Sequence, residues 1–232
     1  MEKGNLLLRI FIKRADDGGC MVDFDRDGFL INFTYNTNKI EGSKLSFEDV
    51  KNIIQNKKYP DGASYEDIGE CLGLYSTMSG LIDDLSLEIT PDLISGIHYK
   101  IFSNSKSFAG KFRESPDERV AIFAGSGKIV GTTTPPFAVR GEIESLCKSH
   151  ATNKDDIYEP FKFHIRFEKI HPFLDGNGRV GRVLLNYMLL KQGRNPIDIE
   201  YKDRATYYDF FSVDIQDGVQ EFKDFYDEHY WK

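Results

Sequence analysis

The fold is most restricted by a short glycine-rich loop that runs straight into a helical pattern, within residues 170–182. Gly176, Asn177 and Gly178 can adopt positive φ angles, which turn successive backbone N–H groups toward one point. Beyond them, apolar side chains recur with the spacing of an amphipathic helix, at Val180, Val183, Leu184 and Tyr187. Because a helix N-terminus attracts anions, this pattern predicts an anion-binding loop on a helical framework.

Most of the remaining chain also carries helical signals. Ser46 and Asp49 form a capping-box pattern ahead of a helix that runs to about Ile54. Thr90 can cap another helix, with Pro91 in its first turn. Further helical patterns cover about 65–87, 138–149, 157–170, 179–192, 203–213 and 217–229. The sequence therefore predicts a mainly α fold.

Two segments depart from the helical pattern. Segment 120–133 has two β-rich arms around a turn at 125–127, so it predicts a β-hairpin. Near the N-terminus, segments 6–12 and 29–33 are either strands or short helices, because periodicity does not separate the two at this length.

Composition narrows the classes of function. Acidic side chains outnumber basic ones by 37 to 30, and a net charge of -7 argues against a dedicated nucleic-acid binder. No stretch approaches the roughly 20 apolar residues that a membrane-spanning helix needs, so we expect no membrane contact. Cys20, Cys71 and Cys147 are far apart and lack metal-ligand spacing. We therefore expect reduced thiols and a cytoplasmic location.

The side chains around the glycine-rich loop indicate phosphate chemistry. Arg179 and Arg182 are three residues apart and project from one side of the predicted helix, where they suit a polyphosphate. Asp175 would repel phosphates unless a divalent cation lay between them, so it suggests Mg²⁺. His171 can accept a proton near neutral pH. Together these residues predict a phosphoryl- or nucleotidyl-transfer site.

Each of these features also has a more ordinary interpretation. A histidine before proline is usually a helix-end residue, a Gly-Asn-Gly sequence a tight turn, and paired arginines a solvated surface. Their combination within one short segment favours a functional site. Two other site classes are excluded, because the chain has neither a GxxxxGK[ST] phosphate loop nor an HExxH metalloprotease motif.

The same segment matches HxFx[D/E]GNGRxxR, the signature of the Fic (filamentation induced by cyclic AMP) family, at every fixed position. Residues 110–113 and the hairpin at 120–133 resemble the stretch that leads into the family's target-binding flap. Residues 90–213 resemble the Fic helical core, and the similarity extends forward to about residue 34. The resemblance implies a mainly α fold, with a Fic-type helical core and a β-hairpin flap before the motif-bearing helices.

The resemblance also implies a role for each motif residue. His171 would deprotonate a Ser, Thr or Tyr hydroxyl of a target protein or of the chain itself, which then attacks the α-phosphate of ATP. Asp175 would hold Mg²⁺, and residues Gly176, Asn177 and Gly178 would form the anion hole. Arg179 and Arg182 would bind the outer phosphates, with Arg182 at the γ-phosphate.

Two regions outside the motif receive roles in the same way. The first is the flap at 120–133, which would clamp the backbone of a target protein by strand addition. Within the motif itself, Phe173 would anchor the core. The second region lies near the N-terminus. The family's inhibitory pattern [S/T]xxxE[G/N] fits residues 37–42, where Glu41 would pair with Arg182 and exclude the reactive pose of ATP. The ordinary interpretation makes Glu41 a surface acid near a helix end.

These implications divide the chain into two predicted parts. Residues 1–89 would form an N-terminal segment, with an inhibitory helix near 34–42 and accessory helices. Residues 90–232 would form the Fic core, with the flap and the C-terminal helices. A homodimer is possible because relatives often pair, so that Glu41 acts within one chain or across an interface.

Several alternatives to AMP transfer stay open from the sequence. They are transfer of UMP, phosphocholine or phosphate, removal of AMP with Glu41 positioning a water, and a regulatory module that senses ATP without turning it over. The remaining histidines receive structural roles: packing or hydrogen bonding for His98 and His164, and surface exposure for His150 and His229. At least one of Tyr207 and Tyr208 is expected to pack in the core.

Overall fold

The computed structural model describes residues 11–14, 20–23, 25–123 and 129–230. Within these ranges nine α-helices make up most of the fold, which confirms the mainly α prediction. They are α1 (Arg26–Ile40), α2 (Phe47–Lys51), α3 (Tyr65–Asp83), α4 (Pro91–Phe102), α5 (Pro136–Asn153), α6 (Glu159–Ile170), α7 (Asn177–Lys191), α8 (Arg204–Asp209) and α9 (Ile215–Tyr230). None of the described helices is both long and apolar enough to cross a membrane.

Helix starts follow the capping residues in the sequence. Ser46 and Asp49 form both hydrogen bonds of a capping box at the start of α2. The Thr90 side chain accepts from the backbone N–H of Leu93 at 3.1 Å and caps α4. Both predicted caps are therefore confirmed.

Several helix bounds differ from the predictions for local reasons. The helix expected near 34–42 starts earlier, at Arg26, and ends at Ile40 with Glu41 as its C-cap; it includes 29–33, which are therefore helical. Helix α3 stops at Asp83, because the Asp84 carboxylate accepts from the backbone N–H of Ser86 and forms a competing local turn. After α2 a π-helical turn, Asn52–Asn56, continues to a left-handed Lys57.

Short strands form two antiparallel pairs. Strand β1 (Phe11–Arg14) pairs with β2 (Cys20–Asp23), and β3 (Ala121–Phe123) pairs with β4 (Ile129–Thr132). The second pair has an irregular register between Ile122 and Phe123. The predicted turn at 125–127 and residues 6–10 lie outside the described residues, so the action of segment 120–133 as a flap stays a prediction.

Helix α7 occupies the centre of the molecule. Its predicted stripe of Val180, Val183, Leu184 and Tyr187 is fully buried, and so are Leu185 and Leu189 on its other side. One apolar cluster packs α7 against α1, α3, α4, α5 and α6, and a second packs it against α6, α8 and α9. A helix that is apolar on both sides belongs in the interior. The first cluster contains residues from both sides of position 89/90. The division of the chain into two parts at this position stays a prediction.

Candidate active site

The glycine-rich loop connects the end of α6 to the start of α7. His171 caps α6 in the left-handed conformation, with φ of +54°, and Gly176 precedes α7 with φ of +80°. The Asn177 side chain closes the loop, because its Oδ1 accepts from Phe173 N and its Nδ2 donates to Phe173 O, both at 2.8 Å. Phe173 is fully buried, as its predicted anchoring role requires.

Close packing explains two of the loop glycines. A Cβ on Gly176 would overlap the ring of Phe102, and the positive φ there also favours glycine. A Cβ on Gly178 would overlap the carboxylate of Glu41. The loop can therefore lie against α4 because Gly176 lacks a side chain, and Gly178 leaves room for the end of the Glu41 side chain.

His98, on α4, supports the glycine-rich loop through hydrogen bonds and ring stacking. Its Nδ1 accepts from the backbone N–H of Gly110 at 2.8 Å, so the ring proton is on Nε2, which donates to the carbonyl of Asp175 at 3.0 Å. Its ring stacks on Phe173 with 3.8 Å between centroids. Burial lowers the pKa of His98 to about 4, so the ring is neutral at neutral pH. The prediction of a hydrogen-bonding and packing role is confirmed.

Arg113 connects the end of α6 to the residues that flank strands β3 and β4. This side chain is almost completely buried. Its Nε donates to the carbonyl of His171 at 2.8 Å, and its Nη2 donates to the carbonyls of Ile170 and Thr134. Nη1 donates to the carbonyl of Glu118 at 2.8 Å. One buried guanidinium thus fixes the backbone on which the candidate base is carried.

His171 is a partly buried neutral imidazole. Its Nδ1 lies 3.2 Å from the carbonyl oxygen of Glu168, so Nδ1 carries the proton and donates, and Nε2 is left as the acceptor. Burial lowers the pKa of His171 to about 4. The Glu168 carboxyl, with Oε2 4.0 Å from the same Nδ1, is also buried, and burial raises its pKa to about 8. At neutral pH His171 is therefore an unprotonated base.

A cleft of about 580 Å³ brings the predicted site residues together. Its lining includes the candidate base, the candidate metal ligand, the three loop residues and the glutamate that the resemblance predicts to be inhibitory: His171, Asp175, Gly176, Asn177, Gly178 and Glu41. Arg119, Val120 and Ala121 line the side toward strand β3. Another cavity of about 440 Å³, between α5, α6 and α9, holds none of the predicted site residues.

Arg182 lies behind the loop in an ion pair with Glu41. Its Nη2 donates to Glu41 Oε1 at 2.7 Å and to the carbonyl of Thr37 at 3.2 Å, and its Nη1 donates to Tyr207 Oη at 3.3 Å. Burial works against the charge of Arg182, but Tyr207 and Glu41 outweigh it, so the pKa of Arg182 is raised. Tyr207 is buried in the core, as expected for at least one of the two tyrosines.

Arg179 forms a different set of contacts. Its Nη1 forms a close ion pair with Glu70 Oε2 on α3, and its Nη2 lies 3.5 Å from Asp175 Oδ1. Its guanidinium carbon is 4.5 Å from the centroid of the Phe102 ring. Arg179 is not among the described residues that line the cleft. Its expected contact with the outer phosphates stays a prediction.

Asp175 has the environment of a ligand for a nucleotide-bound cation. Its side chain is 46% exposed, and Oδ1 accepts from the backbone N–H of Gly176 at 2.7 Å. Across the described residues, no three His, Cys, Asp or Glu side chains are grouped to hold a metal by themselves. Mg²⁺ commonly takes one or two carboxylates together with substrate phosphates. A single, partly exposed carboxylate beside the predicted anion-binding loop fits that ion.

The sequence missed several residues of this site. Glu70, the partner of Arg179, and Lys106, with Nζ 3.7 Å from Asp175 Oδ2, have no recognisable motif. Arg113 lies in the segment 110–113 that carries part of the Fic resemblance. One prediction about histidines is wrong: His150 is buried, with Nδ1 3.3 Å from Glu159 Oε1, because α5 packs on α6. His229 is exposed, as predicted.

Comparison with known families and proteins shows what the chain is similar to. The sequence model of the Fic/DOC family matches residues 88–189. Proteins named protein adenylyltransferase Fic are 28% identical over 198 residues in Nematostella vectensis, which covers 81% of this chain and 44% of that protein. The protein of the same name from Drosophila ananassae is 26% identical over 191 residues, which covers 81% of this chain and 37% of that protein. The chain therefore spans less than half the length of these relatives.

Solved structures share the fold. A Fic domain containing signaling protein from Bacteroides thetaiotaomicron superposes with a TM-score of 0.77 at 21% identity, which covers 88% of this chain and 83% of the other. Fic-1 from C. elegans superposes with a TM-score of 0.71 at 24% identity, covering 85% of this chain and 59% of the other. The mainly α Fic-type fold is thus confirmed.

Proposed function

We propose that this chain transfers AMP from ATP to a hydroxyl group of a protein side chain, from the premise that its residues 88–189 match the Fic/DOC family. The observation that supports this best is the meeting of three groups in one cleft. They are a neutral His171, the exposed carboxylate of Asp175, and the loop of residues 176–178 at the start of α7. The relatives named protein adenylyltransferase support the same reaction class.

In the proposed reaction, Nε2 of His171 accepts the proton of the target hydroxyl. The hydroxyl oxygen then bonds to the α-phosphorus of ATP, and the bond from that phosphorus to the oxygen bridging to the β-phosphate breaks. Pyrophosphate leaves, AMP stays on the target, and His171 releases its proton to solvent. The main-chain contact at Nδ1 keeps the ring in the tautomer that this step needs.

The loop and the carboxylate would hold the phosphates in place. The N–H groups at the start of α7 are suited to a phosphate oxygen, because the first N–H groups of a helix have no partner within the helix. Mg²⁺ held by Asp175 would neutralise charge on the phosphate oxygens and on the departing pyrophosphate. The strand pair of segment 120–133 borders the same cleft through Ala121, where a target backbone could add as a further strand.

We also propose that Glu41 inhibits the transfer. The Glu41 carboxylate pairs with Arg182, the guanidinium that the resemblance assigns to the γ-phosphate. The pair is formed by a nearly fully buried arginine and a glutamate that is 25% exposed at the cleft. Glu41 can therefore leave the pair without unpacking the core, whereas Arg182 stays in place.

The experiment is incubation of the wild type, Glu41→Gly and the double variant Glu41→Gly/His171→Ala with α-labelled ATP and Mg²⁺, followed by intact mass. We expect each labelled molecule to gain the mass of one AMP. The rate of labelling should be about tenfold higher in Glu41→Gly than in the wild type, since contacts to a charged group contribute roughly 1.5–3 kcal/mol. His171→Ala in the Glu41→Gly background should lose about a hundredfold or more, the usual contribution of a general base. Glu88→Gly, at an exposed loop carboxylate, is the matched control.

The outcomes separate the two parts of the proposal. Labelling that is equal in Glu41→Gly and Glu88→Gly would reject the inhibitory role and keep the transfer. Labelling that persists in the His171 variant would remove this residue from the base role. If ATP binds but no variant is labelled, the site uses another donor or senses ATP without turnover.

A further inference from the structure

Glu70 reaches the site from α3, outside the segment that matches the Fic/DOC family. Its Oε2 forms the close ion pair with Arg179 Nη1. Its Oε1 accepts from the Ser105 hydroxyl at 2.9 Å and lies 3.6 Å from Lys106 Nζ. Both oxygens of this carboxylate are thus engaged, and its side chain is only 12% exposed.

The two cations that contact Glu70 also flank Asp175. Arg179 Nη2 is 3.5 Å from Asp175 Oδ1, and Lys106 Nζ is 3.7 Å from Asp175 Oδ2. A carboxylate that is paired with two cations binds a third cation poorly, because its negative charge is already neutralised. Glu70 adds a second negative charge, so the group of four side chains is electrically balanced.

The Glu70 arrangement is fixed, in contrast to that of Glu41. Glu41 borders the cleft, and among the described residues its ion pair is with Arg182 alone. Glu70 is not among the described residues that line the cleft, and its main partner Arg179 is stacked on the Phe102 ring. These contacts favour a permanent support of the site over a group that swings aside when the nucleotide enters.

We propose that Glu70 is a positioning residue, which holds Arg179 and Lys106 so that the carboxylate of Asp175 stays available to the Mg²⁺ of the nucleotide. This inference rests on the proposed function, because that function makes Asp175 the metal ligand. Without the charge of Glu70, both cations lose their counter-ion and pair more closely with Asp175. Lys106 is the more mobile of the two, since it is a flexible, partly exposed side chain.

The test measures how much Mg²⁺ strengthens nucleotide binding. A non-hydrolysable ATP analogue is titrated by calorimetry into the full chain, in the Glu41→Gly background, once with MgCl₂ and once with EDTA. For Glu70→Gln we expect the strengthening by Mg²⁺ to fall about tenfold, the lower end of the effect of removing a partner of a metal ligand. Binding in EDTA should be unchanged or tighter, because the variant has one negative charge fewer near the phosphates.

Lys106→Met supplies the matched control and the rescue. Alone, Lys106→Met removes a cation that competes with the metal for Asp175, so the strengthening of nucleotide binding by Mg²⁺ should be retained or increased. Combined with Glu70→Gln, Lys106→Met should restore most of the lost strengthening of nucleotide binding by Mg²⁺. A variant that had simply lost its fold would not be rescued in this way. Equal weakening by Glu70→Gln with MgCl₂ and with EDTA would overturn the inference, and so would no change at all.

Asp175→Asn separates this inference from the proposed function. Loss of the Mg²⁺ effect in Asp175→Asn together with an unchanged Glu70→Gln would reject the role of Glu70 alone. An unchanged Mg²⁺ effect in Asp175→Asn would reject the metal-binding part of the proposed function, and the role of Glu70 with it. Absence of any binding of the analogue would reject the nucleotide site as a whole.

Discussion

His171 combines an uncommon backbone conformation with a neutral side chain. Apart from Lys57, it is the non-glycine residue with positive φ among the described residues. This conformation ends α6 and turns the chain into the glycine-rich loop, while Arg113 holds the carbonyl of the same residue. A residue that is held in a sparsely populated conformation by its surroundings is a reason to look for function there. The burial that this geometry produces also keeps the imidazole unprotonated.

The first prediction concerns the pH dependence of transfer. A general base works in its unprotonated form, so activity is lost as the pH falls through the pKa of His171. Because that pKa is lowered to about 4, we expect the rate of AMP transfer by Glu41→Gly to change little between pH 7 and pH 5.5. Labelling at limiting ATP measures it, with circular dichroism as the check on folding. A fall centred near pH 6.5 in the folded protein would instead indicate a solvated imidazole.

At the scale of elements, the loop between α6 and α7 is shaped by groups from several helices. Asn177 at the start of α7 closes it, His98 on α4 supports it, and Glu41 at the end of α1 lies against its last glycine. The loop therefore has little freedom to rearrange when a nucleotide binds. Its precision comes from helices that are packed into the core, which is the arrangement expected of a preorganised site.

The second prediction tests the closure of this loop. Asn177→Ala removes both hydrogen bonds to Phe173 and leaves a buried N–H and carbonyl without partners. We expect the free energy of unfolding to fall by about 2–4 kcal/mol, since each unsatisfied buried group costs roughly 1–3 kcal/mol. Urea denaturation measures it, and Asn104→Ala, at an exposed position, is the control. Equal small losses in both variants would contradict the structural role of Asn177.

For the whole molecule, the central position of α7 joins the site to both apolar clusters. The helix carries the loop at its N-terminus, packs α1 and α3 on one side, and packs α8 and α9 on the other. The same packing buries ionisable groups around it. Burial lowers the pKa of three histidines and raises the pKa of two carboxyl groups, because it disfavours the charged form of each.

The third prediction concerns stability and pH. Burial lowers the pKa of His98, His164 and His171 to about 4, 3 and 4, so the unfolded chain binds more protons below pH 6.5 and stability falls as the pH falls toward 4. Burial raises the pKa of Glu168 and Asp198 to about 8 and 7, so the folded chain binds more protons above pH 4.5 and stability falls as the pH rises to 8. We expect maximal stability near pH 6.5.

Urea denaturation from pH 4 to pH 8 measures this dependence. Glu168→Gln, which cannot ionise, should reduce the loss of stability between pH 6.5 and pH 8. An increase of stability across that range in the wild type would contradict the assignment, because it would mean that both carboxyl groups ionise freely in the folded protein.

Local sequence patterns were enough to predict the features that depend on neighbouring residues. Ser46 and Thr90 marked helix starts, because a capping side chain bonds within its own first turn. The motif predicted one transfer site, and His171, Asp175 and residues 176–178 line one cleft, because segment 171–178 is short enough to keep them close together. The apolar stripe of α7 was also readable, since its period is set by the helix itself.

Contacts between groups that are distant in the sequence depend on how the helices pack. Glu70 and Arg179 are 109 positions apart, and their contact depends on how α3 packs against α7. The burial of His150 likewise follows from the packing of α5 on α6, and nothing in its local sequence indicates it. The pairing of Glu41 with Arg182 was expected only through resemblance to a family. Side-chain spacing describes one helix at a time, whereas an ion pair between helices depends on the angle and register at which the core packs them.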